Sequence, residues 1–317
     1  MDSSGVFYIS LNDSERCYLC IILSAISLIS LASGAFISGI YTYNPVLVIA
    51  MTSAGLASFT LLYLILGLII KKTRSKTKVV QLQGFRSKTI SLKTGIQLAF
   101  YGGISFGLGL DFMFLGYFYE PQGRGVISSI VTLYLLLYVV YSCYLGNLKL
   151  YWTHAVAALL ALAGLLLIFI YSIFDSLWHA FLSGFIAMLF MSGAAVCAYY
   201  SKKSSLELHI INILYAFMAF GVNIIIILVI KYILGVNLWT SEDNLFWPFF
   251  GGVLLGIGIF INQDYIKKDV LLANALPSLF GMLQILIEFL YWRLAPFFVY
   301  TIGASILSGG MLIFTLV

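Results

Sequence analysis

The sequence predicts an all-α, polytopic membrane protein of ten transmembrane helices arranged as two inverted five-helix repeats. Three observations lead there. The 317 residues are 62% hydrophobic and 9% charged, whereas a soluble domain carries roughly 25% charged residues because its surface must face water. Continuous apolar runs repeatedly reach the roughly 20 residues that a helix needs to cross a bilayer. The glycine spacing of one such run also recurs in a second.

The N-terminal segment 1–17 holds Asp2, Asp13 and Glu15 against a single Arg16. It lacks the basic n-region of a cleaved signal, so the apolar run behind it reads as a retained first helix. Runs bounded by charge, Gly or Pro place spans at 18–41, 46–70, 95–118, 125–144 and 151–172. A second set falls at 178–200, 208–232, 247–265, 271–291 and 296–317. Stretches such as Leu61 to Ile70 are continuously apolar, which a barrel strand with its alternating pattern is not.

Lys and Arg in the connectors set the orientation. The loop 71–94 carries Lys71, Lys72, Arg74, Lys76, Lys78, Arg86, Lys88 and Lys93 without an acidic residue. Arg16, Lys149, Lys202, Lys203, Lys267 and Lys268 share that side, and only Arg124, Lys231 and Arg293 lie on the other. This bias predicts both termini in the cytoplasm. The net charge of +5 is therefore a topology signal, and no basic face interleaved with stacking aromatics points to nucleic acid.

Gly102, Gly103, Gly107 and Gly109 recur as Gly251, Gly252, Gly256 and Gly258, 149 positions on. Ser33-Gly34-Ala35 recurs as Ser192-Gly193-Ala194 after 159 positions, and Gly164 with Ile168-Phe169 matches Gly309 with Ile313-Phe314 after 145. The repeats are then 18–172, including the basic loop, and 173–317. Five helices per unit is an odd number, so the second copy enters the membrane from the opposite side, an arrangement that suits alternating access. The patterns Gly103-x-x-x-Gly107 and Gly252-x-x-x-Gly256 also predict close helix packing.

The stretches Gly102 to Phe169 and Gly251 to Phe314 each run through a Gly-rich helix, a helix opening on small residues, a short turn and a Gly-containing last helix. The opening residues are Gly125-Val126-Ile127-Ser128-Ser129 in one and Ala273-Asn274-Ala275-Leu276-Pro277-Ser278 in the other. In this the chain resembles the drug/metabolite transporter superfamily, in its ten-helix EamA-like and nucleotide-sugar-transporter-related branches. The glutamate that the family often carries after its fourth and ninth helices is replaced here by Leu145-Gly146-Asn147 and Tyr291-Trp292-Arg293. The resemblance implies a central cavity lined by the third, fourth, eighth and ninth helices, with parts of the first and sixth.

Ionisable groups inside a span cost about 2.5 to 3.5 kcal/mol on insertion scales and tend to face a cavity or a partner. Asp111 in the third span and Glu288 in the ninth are the two such carboxylates, since Asp264, at the end of the eighth span and followed by Lys267, Lys268 and Asp269, reads as a solvated helix end. Asp111 reads either as a cavity group that binds a cation or exchanges a proton, or as a paired or protonated structural group. In the ninth span Asn274, Ser278, Gly281, Gln284 and Glu288 follow steps of four, three, three and four, which keeps them on one helical face. Ser129 matches Ser278 and Thr132 matches Gly281 at the 149-residue separation, so the fourth span repeats part of this stripe.

The expected substrate-binding set is Asp111, Ser128, Ser129, Thr132, Asn274, Ser278, Gln284 and Glu288. His154, His179 and His209 have no clustered partners, and Cys17, Cys20, Cys143 and Cys197 lack metal-site spacing. The expectation is a secondary carrier of a small polar or amphipathic solute, with no enzymatic activity, no cofactor and no metal. Membrane lipid and a second copy of the chain are its candidate macroscopic partners. A receptor or scaffold that keeps the fold without moving solute is the alternative reading.

Overall fold

The computed structural model describes residues 13–38, 44–73, 90–144, 151–174, 178–204, 206, 208–235, 244–265, 278–292 and 298–316. Their order is α1 (Asp13–Ser38), α2 (Pro45–Thr73), α3 (Leu92–Tyr119), α4 (Arg124–Thr132), α5 (Tyr134–Tyr144), α6 (Trp152–Phe174), α7 (Trp178–Lys203), α8 (Leu208–Tyr232), α9 (Phe246–Tyr265), α10 (Phe280–Trp292) and α11 (Phe298–Leu316). With α4 and α5 taken as one helix interrupted at Leu133, these are ten helices, and no strand occurs among the described residues. The described residues of each expected span fall on helices. The N-terminal half of the ninth span, with Asn274, lies outside the described residues.

Among the described residues, six helices are long and apolar enough to cross a membrane: Pro45–Gly67, Leu92–Tyr119, Trp152–Ile173, Trp178–Lys202, Ile210–Tyr232 and Phe298–Thr315. Ile22–Ser38, Arg124–Tyr138, Phe246–Ile261 and Phe280–Tyr291 are shorter apolar stretches. Large apolar side chains cover the outside of the bundle, including Leu159, Ile225 and Leu290, each more than 60% exposed. Such a surface is matched by hydrocarbon and not by water.

Helix ends follow local chemistry. Ser91 caps α3, accepting from the Thr94 N–H at 3.2 Å. Asn44 accepts from the Val46 N–H at 3.0 Å as Pro45 opens α2. Pro121 opens a short 3-10 turn, Pro121–Gly123, between α3 and α4. The break after α4 has a chain of back-bonding hydroxyls behind it. Ser129 donates to Gly125 O at 2.9 Å and Thr132 to Ser129 O at 2.6 Å, and hydroxyls bonded this way bend helices.

All nine residues of α4 are buried, which puts this short helix in the interior. It packs on α10, α7 and α11. Around it α3 packs on α7 and α8, while α9 packs on α1 and α2. The remaining large seams join α2 to α8, α6 to α11, and α1 to α10. Glycines sit where the backbones come closest, as their spacing predicts. Gly103 and Gly107 face Met218 and Ala219 of α8, and Gly252 and Gly256 face Thr52 and Phe59 of α2.

The α6–α11 seam changes one sequence-based match. A Cβ on Gly164 would meet Leu307 N at 2.5 Å and Gly303 O at 2.6 Å, and one on Gly310 would meet Ala161 N at 2.5 Å and Ala157 O at 2.9 Å. These contacts correspond atom for atom when positions 146 apart are paired. Gly309, the match expected at 145, has no neighbour within 4 Å of such a Cβ. Composition along the helix cannot distinguish adjacent glycines; the packed face does.

Candidate functional site

The polar stripe of the ninth span faces inward. Ser278, Gly281, Gln284 and Glu288 are buried, while Met282, Leu286, Phe289 and Leu290 on the other side are exposed. This is the reverse of a soluble amphipathic helix, as expected where the surroundings are apolar and the interior must satisfy the polar groups.

Gln284 is the hub of the buried group. Its Oε1 accepts a hydrogen bond from the Tyr117 hydroxyl at 3.1 Å and a second, shorter one from the Ser128 hydroxyl. The Tyr117 and Ser128 hydroxyls also lie within hydrogen-bonding distance of each other, and with one hydrogen each they share it between this contact and the Gln284 oxygen. Three helices, α3, α4 and α10, are thereby joined at one point, with Tyr117, Ser128 and Gln284 no more than 1% exposed. The Gln284 Nε2 has no hydrogen-bond partner among the described residues, so both of its N–H donors are unused.

One turn further along α10, Glu288 places Oε2 3.5 Å from the Gly125 N–H, at the long end of hydrogen bonding. Gly125 is the second residue of α4, so the carboxylate sits at the positive end of that helix. Arg124, the first residue of α4, interacts electrostatically with Glu288 and with Tyr117. Glu288 Oε1 has no hydrogen-bond partner. An unused acceptor and the unused Gln284 donors therefore lie one helical turn apart on the buried face of α10.

The structure thus joins Ser128, Gln284 and Glu288 of the expected set and adds two residues that sequence reasoning missed. Arg124, expected in a solvated outer connector, is 4% exposed. Tyr117 is one of 21 tyrosines, most of them near helix ends where interfacial tyrosines gather. The signal that could have found it is its place just before the connector to a fourth helix that opens on small residues.

Ser129 and Thr132 sit elsewhere. Both hydroxyls donate to carbonyls of α4 itself, and the Ser129 backbone lies against Gly281, whose added Cβ would stand 2.6 Å from Ser129 N. Ser308 of α11 also reaches the Ser129 hydroxyl at 3.4 Å. These residues build the α4–α10 seam instead of presenting polar atoms to the Gln284 group. Ser278 is fully buried at the start of the described part of the stripe.

Asp111 is separate too. Its Oδ1 accepts from Asn223 Nδ2 at 3.2 Å in the α3–α8 seam, and its Oδ2 is buried without a hydrogen-bond partner among the described residues. Six residues separate it from Tyr117, about 9 Å along the helix. A different cleft of about 520 Å³ lies on the outer side of α10, lined by Leu28, Met282, Leu286, Phe289, Thr301 and Ser305 among others. Its lining is mainly apolar, and the exposed half of α10 forms one wall.

No family model matches the sequence, and no curated protein is detectably similar. One solved structure, described as "Crystal structure of protein", is similar with a TM-score of 0.57 and 18% identity over 96% of this chain and 98% of that chain. At that identity the likeness shows the fold alone.

Proposed function

We propose that this chain is a secondary transporter. It moves a small polar or amphipathic metabolite by alternating access between two inverted five-helix repeats, on the plan of EamA-like drug/metabolite transporters. The carrying observation is the exchange of neighbours between the two halves. Replacing each of the first five spans by its counterpart five spans later turns the α3 seams with α7 and α8 into the α9 seams with α1 and α2. It returns the seams α2–α8, α4–α10 and α6–α11 to themselves. The interruptions at Leu133 and Leu279 are 146 positions apart, the separation that also pairs Gly164 with Gly310.

Such an arrangement favours a site where α4 of one half crosses α10 of the other, because exchanging the conformations of the halves moves the opening around that crossing. The Tyr117–Ser128–Gln284 group with Glu288 occupies it. Its donor and acceptor atoms suit a polar solute.

Counterflow in proteoliposomes against a broad solute panel tests the function. Saturable exchange of at least one solute is expected, with Gln284→Leu abolishing it. Absence of saturable exchange for every solute would favour the receptor or scaffold reading. The cytoplasmic placement of the termini has its own test. Asn12-Asp13-Ser14 is a glycosylation sequon that must stay unmodified in eukaryotic expression if it faces the cytoplasm. A glycosidase-sensitive shift that Asn12→Gln removes would reverse the orientation.

A further inference from the structure

Asp111 stands apart from the Gln284 group, on the same helix and in a different seam. It is held by one amide. Asn223 Nδ2 donates to Ala219 O at 2.9 Å and to Asp111 Oδ1 at 3.2 Å, so the bond to Ala219 fixes the orientation of the amide and turns N–H toward the carboxyl. Asp111 Oδ2 is buried and unpartnered among the described residues. Glycine packing makes this seam tight: Gly107, one turn earlier, lies against the Ala219 backbone, 2.8 Å from an added Cβ to Ala219 Cα.

The surrounding elements supply no counter-charge among the described residues. On α8, Tyr215 is committed to Ala194 O at 2.6 Å, and Lys231 lies over the Tyr232 ring. His179 of α7 stacks near Tyr119, and Cys197 of α7 lies by Gly102. Arg124 of α4 interacts with Glu288 and Tyr117, and Tyr63 of α2 packs on Phe260. Among the described residues, Asn223 is the polar contact of the Asp111 carboxyl.

The pseudo-equivalent position shows what the fold itself needs. At the 149-residue separation of the glycine pattern, Asp111 pairs with Phe260, which fills the α2–α9 seam against Phe59 and Tyr63 at ring separations of 5.8 and 4.6 Å. An aromatic contact closes that seam without a carboxyl, so the packing of the third helix of a repeat does not call for an acid.

We infer that Asp111 is a proton-binding site, distinct from the solute site, that couples transport to a proton gradient through the Asn223-gated α3–α8 seam; this rests on the transporter reading above. A proton fits better than a metal cation. Hard cations need about six oxygen ligands, whereas this site offers one carboxylate and an amide that presents N–H. The cycle is balanced: the carboxylate takes H⁺ from water on one side, crosses as the neutral carboxyl, and releases H⁺ on the other side. Asn223 N–H supports the charged form through its hydrogen bond.

Labelling of the purified full-length protein by dicyclohexylcarbodiimide, which reacts with protonated carboxyls in apolar sites, tests proton binding without a known solute. Mapped by mass spectrometry across a pH series, the Asp111 adduct should fall as pH rises and be absent in Asp111→Asn. In Asn223→Leu the fall should move to higher pH, because the anion has lost its donor. An adduct yield independent of pH, no adduct at Asp111 at any pH, or an unchanged profile in Asn223→Leu would each overturn the site. Coupling is then read in proteoliposomes with a solute that wild type exchanges. Asp111→Asn should keep counterflow, which needs no gradient, and lose accumulation driven by an imposed pH gradient. Equal gradient-driven accumulation in wild type and Asp111→Asn would overturn the coupling. Failure of wild type to exchange any solute would instead remove the transporter reading, which the labelling result does not depend on.

Discussion

The Tyr117 hydroxyl and Gln284 Oε1 are 3.1 Å apart across 167 positions of sequence, and Ser128 donates to the same oxygen. One amide oxygen therefore ties α3 and α4 to α10. Hydrogen bonds between membrane helices average about 0.6 kcal/mol, and leaving a buried polar group unsatisfied costs about 1–3 kcal/mol. Gln284→Leu, which removes the acceptor shared by both hydroxyls and leaves them only each other, should lower thermal stability in detergent by about 1–3 kcal/mol and Tyr117→Phe by less. The double variant should fall short of the sum by about 0.5 kcal/mol or more. Strict additivity would mean that the two residues do not share a network.

Adjacent glycines on α11 should behave oppositely. Gly310→Ala puts a Cβ 2.5 Å from Ala161 N, and overpacking of this kind costs about 1–3 kcal/mol. Gly309→Ala meets no atom within 4 Å and gains up to about 1 kcal/mol of helix propensity. Melting temperatures of the two variants decide it, and equal shifts would place the α6–α11 seam in the wrong register.

Glu288 and Arg124 should be coupled. Their interaction is through-space electrostatics, and coupling of that kind appears as non-additivity of about 0.5 kcal/mol or more. Glu288→Leu and Arg124→Leu should each destabilise, with the double variant falling short of the sum of the two. Strict additivity would show that the residues act independently.

Ser278 and Gln284 are closed off in this arrangement. Cysteine placed at either position should react slowly with a membrane-impermeant thiol reagent at rest and faster while a counterflow-active solute is exchanging. The same rate in both conditions would take this face of α10 out of the transport path.

The helices, their order and the inward polar face of α10 were legible in the sequence, because hydrophobic run length and a 3.6-residue period are local properties of the chain. The glycine spacing likewise identified backbones that approach closely, since only a missing Cβ permits that approach. What lay beyond the sequence was which faces meet. Ser128 and Ser129 are neighbours of the same type, yet one joins the Gln284 group and the other bonds to its own helix and packs on Gly281. Arg124 reads as a connector charge until α4 carries it inward beside Glu288. Asp111 and Tyr117 share α3, but six residues of helical rotation, about 240° beyond a full turn, send them into different seams. Side-chain chemistry is written residue by residue, whereas the partner of each side chain depends on how two helices cross, and that is set jointly by contacts more than a hundred positions apart.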